Sequence, residues 1–186
     1  MMSLFKKSLI VFSFLIVTFA SQANTDLASL KARYFDAARE GNQAMLEAFY
    51  DAGLDANVAD EKGYTALILA AYHGHTDTVD YLINTAKANP CQEDNRGNTA
   101  LMGAIFKGHV SVANQLVFAD CNIDEENEQG QTALMFASLF DRQEIINTLI
   151  DKGADTHHKD KAGNTVADIA LSQGNYALAK ALKDGE

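Results

Sequence analysis

The sequence predicts an all-α fold, a solenoid of about five helix–turn–helix units joined by β-turn fingers. Three observations carry this prediction. The segments Gly63-Tyr64-Thr65-Ala66-Leu67, Gly97-Asn98-Thr99-Ala100-Leu101, Gly130-Gln131-Thr132-Ala133-Leu134 and Gly163-Asn164-Thr165-Val166-Ala167 recur, with threonines 34, 33 and 33 residues apart. Nine residues after each Thr stands a second mark, Gly74, Gly108, Asp141 or Gly174, and Gly41, 33 before Gly74, reveals an earlier degenerate copy. The composition agrees: 47% hydrophobic residues, one Pro and no Trp describe a folded and mostly helical chain rather than a disordered one. Self-similarity at a fixed period of this length is the mark of stacked repeats.

The elements follow in chain order. Met1 to Ala23 reads as a signal peptide. Lys6 and Lys7 are its positive start, Leu9 to Ala20 its apolar stretch, and Ser21-Gln22-Ala23 its small-residue cleavage site. The apolar run falls short of the roughly 20 residues that cross a bilayer, which argues against a membrane anchor. No Cys follows it, so a lipoprotein site is absent. The short two-lysine start has a bacterial look. The expected product begins at Asn24 after cleavage following Ala23, and is periplasmic or secreted. The expected repeat domain covers 24–186, with units at approximately 26–59, 60–93, 94–126, 127–159 and 160–186.

Each unit has a physical reading. Its first Gly permits positive φ in a tight turn. Thr then caps a short first helix by accepting a backbone N–H. The second Gly ends that helix in the left-handed region. A second helix follows, marked by Val79, Leu82 and Ile83 in one unit and by Ile145, Ile146, Leu149 and Ile150 in another. Gly53-Leu54-Asp55 and Gly153-Ala154-Asp155 close their units. One such hairpin cannot bury its apolar side, whereas a stack of them makes a continuous core. Leu67, Leu101 and Leu134 are the expected core leucines. The extra residue behind the 34-residue spacing is expected to lengthen the second helix or its exit loop near Thr85 to Asn89.

The pattern resembles the ankyrin repeat over nearly the whole chain after the leader. The resemblance implies a fold of stacked helical hairpins that holds a protein partner on its concave side. This chain departs from the family's usual repeat in two places. The Pro after the capping Thr is replaced by Ala66, Ala100, Ala133 or Val166, and the His two positions later by Ile68, Met102, Met135 or Asp168. The Thr–His bonding between neighbouring turns is therefore expected to be missing, and stability per repeat to be modest. Lys31 and Arg33 in the first unit, and Lys180 and Lys183 in the last, look like the polar faces of terminal caps.

Charge bounds the partner. The chain carries 25 acidic and 15 basic groups, a net charge of -10. Nucleic acid and anionic membrane surfaces are thereby disfavoured, and a basic protein partner would be steered in faster. No motif for catalysis or phosphate binding occurs; the expected chain is not an enzyme and holds no cofactor or metal. His73, His75 and His109 flank the second-mark glycines and have repeat-level roles. His157 and His158, adjacent in sequence, cannot share a helix face and belong to a surface turn. The acidic run Asp124-Glu125-Glu126-Asn127-Glu128 lacks the alternation and Gly of a calcium loop. Cys91 and Cys121 lie in successive linkers between units and are candidates for one disulfide. Helices stack about 10 Å apart, and bridged Cα atoms must approach within about 7 Å. The offset of the two positions could close that gap; two buried free thiols are the alternative.

The candidate partner site rests on the resemblance. Seven and eight residues after each Thr, where ankyrin stacks face their concave side, stand Tyr72 and His73, Phe106 and Lys107, and Leu139 and Phe140, with Tyr64 beside Tyr72. Glu61, Lys62, Arg96 and Glu128 at the turn tips make a polar rim; the alternative is that the rings pack into the core or against each other. The favoured function is a periplasmic binding module that inhibits, neutralises or protects against an envelope enzyme or toxin. The alternatives are an accessory or stabilising factor for a periplasmic enzyme, for instance one of oxidative defence, a structural spacer, and an enzyme or cofactor carrier. The last would need a catalytic group in a deep pocket, where a solenoid offers a groove.

Overall fold

The computed structural model describes residues 28–184; the expected leader lies outside the described residues. The chain divides into Met1–Tyr34, of which 28–34 are described and helical, and Phe35–Glu186. Residues 28–40 are helical (α1). Helices then follow in pairs: α2 (Gln43–Asp51); α3 (Ala66–His73) and α4 (Thr76–Asn84); α5 (Ala100–Lys107) and α6 (Val110–Val117); α7 (Ala133–Leu139) and α8 (Gln143–Asp151); α9 (Val166–Ser172) and α10 (Tyr176–Asp184). Among the described residues the one isolated β-pairing is a bridge between Ala59 and Thr65. First helices stack on first helices, α3 on α5, α5 on α7 and α7 on α9.

Each capping Thr does what its position requires. The Oγ1 atoms of Thr65, Thr99 and Thr132 accept the N–H groups of Ile68, Met102 and Met135 at 3.2, 3.3 and 3.4 Å. In the last unit the cap is reciprocal. Thr165 Oγ1 accepts from Asp168 N at 3.3 Å while Asp168 Oδ2 accepts from Thr165 N at 3.0 Å. These bonds from Thr165 hold the Asp168 carboxyl below its ordinary value. So the residue that departs from the family's His completes a capping box here.

The fingers close without the Thr–His bonding. Asp60, Asp94, Asn127 and Asp160 each accept two backbone N–H groups with Oδ1, from the residues two and four positions on, at 2.8 to 3.0 Å. Neighbouring fingers are tied by main-chain bonds: Asn95 N–H to Lys62 O, Glu128 N–H to Arg96 O, and Lys161 N–H to Gln129 O, at 3.0, 2.8 and 2.9 Å. Asn127 is the buried member, and its amide also donates to Asn98 Oδ1 at 3.1 Å, which an Asp could not do.

Unit joints are pinned at the start of each second helix. His75 Nε2 donates to Arg39 O at 2.7 Å, and His109 Nε2 to Tyr72 O at 3.2 Å. In the next unit Arg142 takes over, donating from Nε to Ile105 O and from Nη2 to Phe106 O at 3.2 and 3.3 Å. Asp141 holds the left-handed conformation (φ 51) that Gly74 and Gly108 hold elsewhere, and its carboxylate accepts from Asn175 at 2.9 Å.

Gly74 therefore answers two demands. Its φ is 81°, and a Cβ there would meet the His109 ring at 2.6 Å. Gly74→Ala should cost about 2 kcal/mol, combining left-handed strain with displacement of the ring that bonds Tyr72. Gly153, at φ 89° with nothing within 4 Å, is the control, where only the strain applies. Equal losses in chemical denaturation for the two variants would refute the packing role.

One expectation needs correction. Leu67 and Leu134 are buried, but Leu101 is only half-buried. It turns toward the linkers at Pro90, Cys91 and Cys121, beside a gap of about 20 Å³, while Met102 fills the core. Of the apolar residues that mark the second helices, Ile83 is half-buried and Ile150 exposed. The extra residue lies in the exit loop, one of the two places expected for it: α4 has nine residues, as α2 and α8 do, and Lys87 turns left-handed (φ 60) beyond its end.

Candidate functional site

The ends of α3, α5 and α7 bring the counted side chains into one row. The Tyr72 and Phe106 rings stack with centroids 6.0 Å apart, Phe106 meets Phe140 edge-on at 4.9 Å, and Phe136 lies 6.1 Å from Phe140. Lys107 Nζ sits 5.2 Å over the Tyr72 ring, a cation–π contact. The row is not uniformly open. Phe106 is 42% exposed, whereas Tyr72, Leu139 and Phe140 are half-buried by packing along the stack.

Beside the row runs a groove of about 600 Å³, walled by these helix ends on one side and by the fingers on the other. This is a size that takes peptide side chains. Tyr64, Tyr72, His73, Phe106, Leu139, Phe140, Lys62 and Arg96 line it, as do Arg39 and Asp94; Lys107, Glu61 and Glu128 fall outside its lining. The sequence reading did not include Leu69, Gly103 and Phe136, which also line it. They stand four residues after the capping Thr in three successive units, one helical turn before the row, and helix positions three or four apart share a face. That spacing was a usable signal.

The polar groups of the groove are engaged with the fingers and with neighbouring charges. Asp94, its one carboxylate, is occupied by Arg96 N, Asn98 N and the Asn98 amide, at 2.8 to 3.3 Å. His73 is held below its ordinary value by partial burial and by the positive charge of His75, Arg39, Lys107 and His109. Among the described residues no group of three His, Cys, Asp or Glu side chains is placed to hold a metal, and no helix is long and apolar enough to cross a membrane. Asp124 of the acidic run accepts the Asp155 N–H at 2.9 Å, and Glu126 lies 3.5 Å from His158, whose Nε2 donates to Gly130 O. His157 is exposed on the same turn.

Away from the groove, Cys91 and Cys121 are joined in a disulfide with their Cα atoms 5.5 Å apart. The two linkers run side by side there, much closer than the helix axes, so the offset between the two positions suffices.

Comparison with known proteins follows the same lines. The family described as ankyrin repeats (three copies) matches residues 35–127 and 110–186. The chain is 51% identical over 45 residues to a protein of Pseudomonas aeruginosa named as an ankyrin repeat protein, a stretch covering 24% of this chain and 26% of that one. It is 40% identical over 55 residues to the human espin-like protein, covering 30% of this chain and 6% of that one. The matched stretches thus span about a quarter of the first relative and far less of the second. With the family pattern extending from residue 35 to the end, the chain belongs to the ankyrin-repeat family, whose members are generally non-enzymatic protein-interaction modules.

Proposed function

We propose that this chain is a protein-binding module of the bacterial cell envelope that inhibits, neutralises or protects against an envelope enzyme or toxin through the groove face. The observation that carries the reading is the aromatic row beside the groove, with Phe106 at its exposed centre. Aromatic anchors at the middle of a patch supply much of an interface's binding energy. The compartment rests on the leader-like Met1 to Ala23 and on the Cys91–Cys121 bridge, because disulfides persist in oxidising compartments.

The test is capture of the partner from periplasmic extract with the chain from Asn24 onward, followed by titration of Phe106→Ala. The variant should lose on the order of 2 kcal/mol of binding, roughly thirtyfold in Kd, with helix content and melting unchanged. Normal binding by the variant, or no partner at all, would reject the groove as the interface. The partner's own activity then separates the roles: a fall on binding marks an inhibitor, and a longer active lifetime marks a stabilising factor.

A further inference from the structure

The groove differs from the rest of the molecule in two ways that together describe what fits it. The first is charge. The chain as a whole is strongly acidic, at -10, which by long-range attraction favours a basic partner. Locally the sign is reversed. Arg39, Lys62 and Arg96 line the groove against the single carboxylate of Asp94, which is already saturated by finger hydrogen bonds. Arg39 is committed to Asp36 and Asp60, at 2.8 and 3.7 Å, but Lys62 and Arg96 make no ion pair among the described residues. Both sit exposed at equivalent positions of adjacent finger tips whose backbones are bonded together.

The second is shape. Leu69, Gly103 and Phe136 are equivalent positions in three successive units, and the middle one has no side chain. Gly103 is not there for its backbone, because it lies within α5 and is absent from the positive-φ residues. Nor is it there for close packing: a Cβ at that point would meet only Tyr72 side-chain atoms, at 3.8 and 3.9 Å, an ordinary contact. Gly inside a helix is about 1 kcal/mol worse than Ala. What it leaves is a notch in the groove wall, with the Tyr72 ring against it and Phe106 one helical turn on.

From these two features we infer that the groove takes an extended segment of a partner protein carrying one large apolar side chain flanked by carboxylates. The apolar side chain seats in the notch at Gly103, and the carboxylates reach Lys62 and Arg96. This deepens the proposed binding function and rests on it.

The probe is a phage-displayed library of random peptides panned against the chain, with enriched peptides then synthesised and titrated by fluorescence anisotropy. Enriched sequences should share an aromatic or leucine residue next to Asp or Glu. Gly103→Leu should weaken their binding by roughly a hundredfold while the melting temperature holds or rises. Gly103→Ala should melt higher and weaken binding by a smaller factor than Gly103→Leu, because one methyl group fills only part of the notch. The double variant Lys62→Glu, Arg96→Glu, confined to exposed side chains, should also weaken binding by about a hundredfold, and added salt should weaken wild-type binding. Enriched peptides that are basic, or indifferent to the charge reversal, yet lost on Phe106→Ala, overturn this inference and leave the groove as a protein-binding face. Peptides untouched by both Phe106→Ala and Gly103→Leu, or no enrichment at all, overturn the inference and the proposed function together.

Discussion

Leu134→Ala should lower stability by roughly 2–5 kcal/mol, because it opens a cavity at a fully buried point of the stack. Leu134 is 0% exposed and lies on α7, which packs against α5, α8 and α9. A repeat stack is stabilised by interfaces between neighbours, so a void in a middle unit weakens two of them. Leu101, the equivalent residue one unit earlier, gives the contrast. It is half-buried and already borders a gap, so truncation removes fewer contacts. Leu101→Ala should cost about half as much or less, in line with the smaller area returned to water. Urea denaturation followed by helix signal measures both. A larger loss for Leu101→Ala than for Leu134→Ala would show that the core is assigned to the wrong leucines.

What the sequence made legible were the residues whose chemistry the backbone demands. Thr at the helix start and Gly at the helix end are chosen by an N–H that needs an acceptor and by a φ that excludes Cβ, so their spacing alone sets out the hairpins. The aromatic row is counted from those marks, but which count to take came from the resemblance to the ankyrin repeat. Positions that depend on neighbouring units were not legible. Whether Leu101 is buried depends on how two cysteine-bearing linkers lie across it. The finger residues Asp60, Asp94, Asn127 and Asp160 look like any solvated polar side chain in the sequence, and only their paired backbone bonds show that they close the turns. Arg142 stands where His75 and His109 stand, and only its bonds to Ile105 and Phe106 reveal the shared task. The sign of charge in the groove was hidden by the net charge, because a total says nothing about where three cations collect.

Loss of the Cys91–Cys121 bridge should be the other large effect. The two residues are 30 apart in sequence, and closing a loop of that length in the unfolded chain is worth about 3.5 kcal/mol in the chain-entropy account. In the folded state the bridge also fastens successive linkers, so its removal should loosen the joint between the unit of α5 and α6 and its neighbours first. The Cys91→Ser, Cys121→Ser double variant separates this from other thiol chemistry. Wild type treated with reductant and the double variant should show the same lowered midpoint, while reductant should leave the variant unchanged. Because the bridged linkers lie against Leu101 and Met102, and Met102 also lines the groove, hydrogen exchange in α5 should rise in the reduced chain before global unfolding. An unchanged midpoint on reduction would mean that the folded stack alone holds the two linkers together and that the bridge adds nothing to stability.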